Sequence, residues 1–295
     1  MGKIINYWNK PSRSAYVFIA PSIILLLLFS VIPLVMAFGM SFFEVPTTLN
    51  HATFIGADNF VEAFRDTRFI NSLKITAIFT GIEVPVQAFG AIIIAAFISK
   101  NNKKNKLFRA IYFLPVICSA TVIGIMWRMI LHSNIGFITA TLQSMGFGKI
   151  NFMNTPGLTI FVVSFISIWR SFGISAIIYV TAIQQVSPSI YEAAEMDGSD
   201  KIQQFIHITL PSIRPTFWFI LMTRFAGALQ IFDIIYVTTN GGPNYSTEST
   251  VSYIYTRAFS SGSSMGYASA MSVILFIIIM LFTILLYRRM NGEDK

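Results

Sequence analysis

Long apolar runs separated by short polar segments organise this chain. Six runs stand out, at 16–43, 72–99, 108–131, 156–183, 215–238 and 267–288. A helix of about 20 apolar residues crosses the hydrocarbon core of a bilayer, so each run is long enough to span, and the longer ones are expected to tilt. The pattern predicts an all-α integral membrane protein of six transmembrane helices over 16–290, preceded by a short segment, 1–15. That segment is basic (Lys3, Lys10, Arg13). The apolar run after it is far longer than the roughly 7–15 residues of a signal-peptide core, so it reads as a retained span. No internal repeat and no low-complexity linker is visible.

The polar segment 187–211, SPSIYEAAEMDGSDKIQQFIHITLP, carries helix punctuation. Ser187 is expected to N-cap a helix with Pro188 at its first position, running through Ile190, Tyr191, Ala194 and Met196. Gly198 suits a left-handed C-terminal cap. Asp200 and Gln203 have the spacing of a capping box, and Pro211 is expected to end the second helix and begin the next span. The segment therefore predicts a short helix, a glycine turn and a second helix. Glu192 and Glu195 share a helical face and offer acceptors to a partner. Ala193 and Ala194 leave room for close approach, and Gly198 permits a turn that a side chain would block.

Composition agrees with a membrane: 54% of the 295 residues are hydrophobic and only 12% charged, against about 25% charged in soluble domains. The net charge is +8, and its distribution decides topology. Three basic residues lie in 1–14, five in the loop 100–109 (Lys100, Lys103, Lys104, Lys106, Arg109), two in 184–214 (Lys201, Arg214) and three in the tail (Arg288, Arg289, Lys295). The other side carries Arg65, Arg68, Lys149 and Arg257. The positive-inside rule places both termini in the cytoplasm. The basic loop reads as a topology determinant in contact with anionic lipid, not as a nucleic-acid surface.

Candidate chemistry is sparse. Cys118 is the one cysteine, which excludes an internal disulfide and paired-thiolate zinc. His51, His132 and His207 are far apart. No H-E-x-x-H, P-loop lysine motif or G-x-S-x-G is present, so no catalytic residue and no metal ligand is expected and the chain does not itself hydrolyse nucleotide. Asn244-Tyr245-Ser246 matches the glycosylation triplet and reads as a chance match. Lys74, Glu83, Arg128, Arg170 and Arg224 fall in or at spans, and Glu83, Arg170 and Arg224 lie near mid-depth. A mid-bilayer charge costs roughly 2.5–3.5 kcal/mol on insertion scales, so Glu83 is expected to pair with Arg170 or Arg224 inside the bundle. Asp233 lies near the outer end of the fifth run and reads as wet or as a gate residue.

The loop resembles the E-A-A motif of importer-type ABC permeases. Glu192-Ala193-Ala194, Gly198 three residues on, and Ile208, Leu210 and Pro211 after nine more fit every position of E-A-A-x3-G-x9-I-x-L-P. Thr239-Asn240-Gly241-Gly242-Pro243, then Ser246-Thr247 and Tyr253-Ile254-Tyr255, and the Arg288-Arg289 ending resemble the first permease of the carbohydrate branch, the maltose, lactose and glycerol-phosphate type. The likeness covers about 15–290 and lacks the inserted periplasmic domain and extra N-terminal spans of the enterobacterial maltose protein.

This resemblance implies a type I importer fold in the bacterial plasma membrane, working by alternating access. The 184–214 loop would be a coupling loop docked on a separate ATPase through Glu192, Ala193, Ala194, Asp197 and Gly198. The implied partners are a second permease, two ATP-binding subunits, an external solute-binding protein and a sugar, with ATP and magnesium held by the ATPase and no cofactor on this chain. The solute would be lined by the fourth and fifth spans. Ile168, Phe172 and Ser175 share a face by spacing, with Trp169 and Trp127 as stacking platforms; Gly227, Ala228 and Ile231 share another, with Arg224 and Gln230 nearby. Gly227 and Ala228 equally suit close helix packing. The alternative is a stand-alone carrier or channel, against which the complete coupling motif argues. A membrane-embedded enzyme would need clustered polar catalytic groups.

Overall fold

The computed structural model describes residues 11–45, 52–260 and 264–292. Most of the N-terminal segment, His51 and Lys295 lie outside the described residues. The chain divides into two compact units, Met1–Arg65 with Ile254–Ile274, and Asp66–Tyr253 with Leu275–Lys295.

In the first unit, α1 (Pro11–Leu26) passes through a π-helical turn, Leu27–Val31, into α2 (Ile32–Met40). Pro33 explains the widened turn, because its ring clashes with the carbonyl four residues back. The first run does not stay helical to residue 43, as its apolar length suggests. It ends at Met40, and β1 (Phe43–Glu44) pairs antiparallel with β2 (Thr53–Phe54). Buried Asn59, in α3 (Asp58–Arg65), donates to the Ser41 and Phe43 carbonyls at 2.9 Å each.

The second unit begins with α4 (Thr67–Pro85), capped by Asp66, whose carboxylate accepts from the Arg68 and Phe69 amides. A π-helical turn, Val86–Gly90, leads into α5 (Ala91–Ile98), the whole forming one spanning stretch, Thr67–Ile98. Next come α6 (Lys103–Ile117), α7 (Ala120–Ile130), α8 (Phe137–Ser144) and the long α9 (Leu158–Gln185). The loop segment folds as α10 (Pro188–Met196), α11 (Lys201–Gln204), a π-helical turn Phe205–Thr209, and α12 (Leu210–Ser212). After it come α13 (Arg214–Leu229), α14 (Asp233–Thr238) and α15 (Thr250–Phe259), and the last run is α16 (Met265–Gly292).

Four stretches are long and apolar enough to cross alone: Phe18–Met40, Thr67–Ile98, Leu158–Gln185 and Met265–Met290. The count reaches six when two bent pairs are each taken as one crossing. The third run is therefore not the single straight helix expected. Lys103–Ile117 and Ala120–Ile130 meet at 97°, because Cys118 and Ser119 are both extended and the Ser119 hydroxyl caps the Val122 amide. The fifth run is also interrupted. The helix ends at Leu229, residues 230–232 break it, and Ser249 Oγ donates to the freed Ile231 carbonyl at 2.6 Å. Further upstream, Lys201–Ser212 meets Arg214–Leu229 at 66°.

Two apolar clusters hold this unit. One gathers Phe79, Ile123, Val163, Ile166, Ile234 and Ile235; the other Ile92, Ala95, Ala176, Tyr179, Ile213 and Ile220. Gly173 lets α9 lie against α6, since a Cβ there would overlap the Tyr112 carbonyl oxygen.

Candidate functional site

The E-A-A segment is an exposed helix ended by a glycine. Glu192, Ala193, Glu195, Asp197 and Gly198 are exposed, and Met196 is 89% exposed. Gly198 has φ +80°. Its amide bonds to Glu195 O at 3.1 Å and the Ser199 amide to Ala194 O at 2.9 Å, the crossed pattern of a Schellman cap. Among the described residues nothing lies within 4 Å of a Cβ placed on Gly198, so conformation rather than crowding requires glycine. Asp200 and Gln203 form the capping box. Two details differ from the sequence expectation. The Ser187 hydroxyl pairs with Ser189 at 2.8 Å instead of capping the helix. Pro211 sits inside α12, and the break falls at Ile213, because Pro215 takes the first turn of α13, where its missing N–H costs nothing.

This loop is tied to the helix ends around it. Tyr191 and Thr209 share a hydroxyl hydrogen bond of 2.9 Å. At the end of α9, Gln184 donates to Ser99 O at 2.7 Å. Arg109 places its guanidinium on the carbonyls of Ile98, Ser99 and Lys100 at 2.7–2.9 Å, satisfying terminal carbonyls that a helix leaves open. Asn105 adds a side-chain bond to Phe97 O at 3.3 Å. Sequence reading assigned Arg109 to the basic loop; its work is to fasten the start of α6 to the end of α5.

A polar ladder joins the second and fourth apolar runs midway along them, α4 with its π-helical turn to α9. Ser167 donates to Glu83 at 3.2 Å, Gln87 donates to Ser171, and Ser175 donates to Gln87 Oε1 at 3.0 Å. Glu83 and Gln87 are one turn apart, as are the three serines, so the π-helical turn at Val86–Gly90 faces a matched row. The expected Glu83–arginine ion pair is not formed. Ion pairs that do form include Arg68–Glu248 and Arg257–Glu62. The hydrogen-bond partner of Glu83 is Ser167, at 3.2 Å, because the serine row lies directly across from it.

The residues expected to line the solute path separate into two groups. Ser175 is buried with its hydroxyl on Gln87, and Ala228 is buried in the first apolar cluster. Ile231 packs on that cluster, and Phe172 packs on the second and meets Tyr112, with ring centroids 6.2 Å apart. In this structure Ser175 and Ala228 serve helix packing. Ile168, Arg170 and Arg224 are half-buried, and Trp169 is exposed with its ring edge-on to Trp127 at 5.6 Å. Gly227 and Gln230 are exposed. From 216 to 240, all described, the exposed positions are Phe219, Thr223, Gly227, Gln230, Asp233, Tyr236 and Asn240. Within α13, Phe219, Thr223 and Gly227 share one stripe by their spacing of four, and within α14 Asp233 and Tyr236 share a face; Gln230 lies in the break and Asn240 beyond the end of α14.

At the opposite end from the E-A-A loop, residues 239–249 form a compact knot. Asn240, Asn244 and Tyr245 have positive φ, as does Gly241. Arg68 reaches buried Glu248 with Nε at 2.8 Å and Nη2 at 2.7 Å and lies 3.7 Å from the Tyr245 ring centroid. Asn71 donates to Tyr245 O, and Tyr253 donates to Asp66 at 2.5 Å. The Arg68 clamp, the serine ladder and Tyr236 were missed in sequence; a four-residue serine period in the fourth run was the available signal for the ladder. His132 accepts from the Asn134 amide, and His207 contacts Gln203 O, both local turn contacts.

Comparison with known proteins adds the following. The family model described as "Binding-protein-dependent transport system inner membrane component" matches residues 87–291. A "Probable ABC transporter permease protein YurN" of Bacillus subtilis is 33% identical, over 92% of this chain and 93% of that protein. The "Sulfoquinovosyl glycerol transport system permease protein SmoG" of Agrobacterium fabrum is 31% identical, over 95% and 91%. A chain of the bacterial alginate ABC transporter, solved in complex with alginate pentasaccharide-bound periplasmic protein, superposes with a TM-score of 0.82 at 26% identity, covering 95% of each chain.

Proposed function

Since the chain belongs to the binding-protein-dependent transport system inner membrane component family and is the permease subunit of an ABC importer, we propose that its solute is a sugar or oligosaccharide. The relatives named for sulfoquinovosyl glycerol and alginate support that class. The chain pairs with a second permease over two ATP-binding subunits, receives solute from an external binding protein, and passes it by alternating access. It performs no catalysis itself; ATP and magnesium belong to the ATPase.

The E-A-A loop end lies in the cytoplasm of a bacterial cell, with both termini on that side, as the basic-residue distribution favours. The observation that carries the reading is the complete E-A-A-x3-G-x9-I-x-L-P spacing folded as an exposed helix, glycine turn and capped second helix. Glu192, Ala193, Ala194, Asp197 and Gly198 form the surface that enters a cleft of the ATPase.

The test is co-purification of the ATPase with this chain. Gly198→Asp or Glu192→Lys is expected to abolish it while the permease pair stays assembled. Solute uptake with no ATPase present overturns the reading.

A further inference from the structure

The exposed positions of the fifth run do not stop at Gln230. Beyond the break they continue through Asp233, Tyr236 and Asn240, while Ile234, Ile235 and Thr238 on the other side of α14 are buried. Charged and polar side chains are expensive against hydrocarbon and mark solute pathways. Interrupted spanning helices are where transporters gather polar groups around a solute. A row of Thr, Gln, Asp, Tyr and Asn across such an interruption is therefore a path surface.

The outer three have a particular chemistry. Phe232 stacks on Tyr236, with ring centroids 5.1 Å apart and planes 25° from parallel. That contact orients the Tyr236 ring while the residue stays 46% exposed. Asp233, one turn before in α14, offers two acceptor oxygens; Asn240, just past the end of α14, offers an acceptor and two donors. Asn240 is held in place, with φ at 50° and its amide on Ile235 O at 2.8 Å. Sugars present an apolar C–H face and a rim of hydroxyls, which an aromatic plate between a carboxylate and an amide complements. A tyrosine alone at this depth would be an ordinary interfacial anchor; an exposed acid one turn before it and an exposed amide just past the helix end are not part of such an anchor.

We propose that Asp233, Tyr236 and Asn240 form an outer subsite for one sugar unit, with Tyr236 as the stacking plate, Asp233 and Asn240 as hydroxyl partners, and Phe232 as the positioning residue behind the plate. The subsite rests on the sugar-importer reading above and extends the path outward from Gln230.

The test uses the whole importer in proteoliposomes with its binding protein and ATPase. The probes are radiolabelled oligosaccharides of one sugar, from a single unit to four units, each first shown to bind that binding protein. Tyr236→Ala and Asp233→Asn are expected to lower initial uptake of the longest probe by about tenfold or more, a loss of about 1.4 kcal/mol, and that of the single unit by less than about twofold. The partner permease should still co-purify, and ATP hydrolysis stimulated by the binding protein should persist. Tyr236→Phe, which keeps the plate, should retain uptake of every probe. Equal loss at all lengths, or loss of the partner permease from the purified Tyr236→Ala complex, overturns the subsite alone. Uptake independent of the ATPase overturns the sugar-importer reading and the subsite with it.

Discussion

Glu248 receives two arms of the Arg68 guanidinium, at 2.8 and 2.7 Å, across 180 positions of sequence. The pair fastens the 239–249 knot to the start of α4. Removing one partner leaves the other charge stranded, and Glu248 is almost fully buried, its side chain 4% exposed. Arg68→Ala is expected to cost about 3 kcal/mol, read as a lower unfolding temperature in detergent. Arg68→Ala with Glu248→Gln should recover part of the loss. A double variant no more stable than Arg68→Ala would show that the stranded carboxylate is not the source.

Gly173 and Gly227 give opposite outcomes. A Cβ at Gly173 collides with the Tyr112 backbone, whereas among the described residues nothing lies within 4 Å of one at Gly227. Gly173→Ala is expected to cost about 1–3 kcal/mol through overpacking. Gly227→Ala should be neutral or stabilising by up to about 1 kcal/mol. Thermal unfolding of the two variants side by side checks the contrast.

At Gly198 the requirement is the positive φ, not space. Gly198→Asn, which tolerates the left-handed region, should keep more ATPase stimulation by loaded binding protein than Gly198→Val, because a β-branched residue there costs more than the roughly 1–2 kcal/mol of an ordinary side chain. Equal activity of the two variants would contradict a conformational role.

The serine ladder should show as pairwise coupling. A double-mutant cycle of Gln87→Leu with Ser175→Ala is expected to give about 0.6 kcal/mol, the usual scale for hydrogen bonds between spanning helices. Gln87→Leu with a residue remote from the ladder should give none.

The spans and the E-A-A loop were legible because their signals are local. Hydropathy marks the runs, and Gly198, Asp200 and Gln203 dictate their own turn and cap. The breaks at Cys118–Ser119 and at 230–232 were hidden inside apolar runs, where hydropathy is indifferent to backbone direction. Glu83 was expected to seek an arginine because opposite charge is the obvious remedy. The actual partner, Ser167, is 84 positions away and is selected by the packing of α4 on α9. Ala228 and Ile231 shared a face with Gly227 in a straight-helix projection. The fold puts Ala228 in the core, packs Ile231 against it and leaves Gln230 outside.

The three residues at 230–232 also act as a phase-setting spacer. Each residue of an α-helix advances by about 100°, so the length of the spacer fixes which face of α14 is exposed, and at its present length Asp233 and Tyr236 are exposed while Ile234 and Ile235 are buried. Deleting or inserting a single residue there would rotate the next segment by a quarter turn or more, sending Asp233 toward the packed side and presenting Ile234 and Ile235 to the path. Homologous sequences should therefore vary in residue type across this interruption far more freely than in its length.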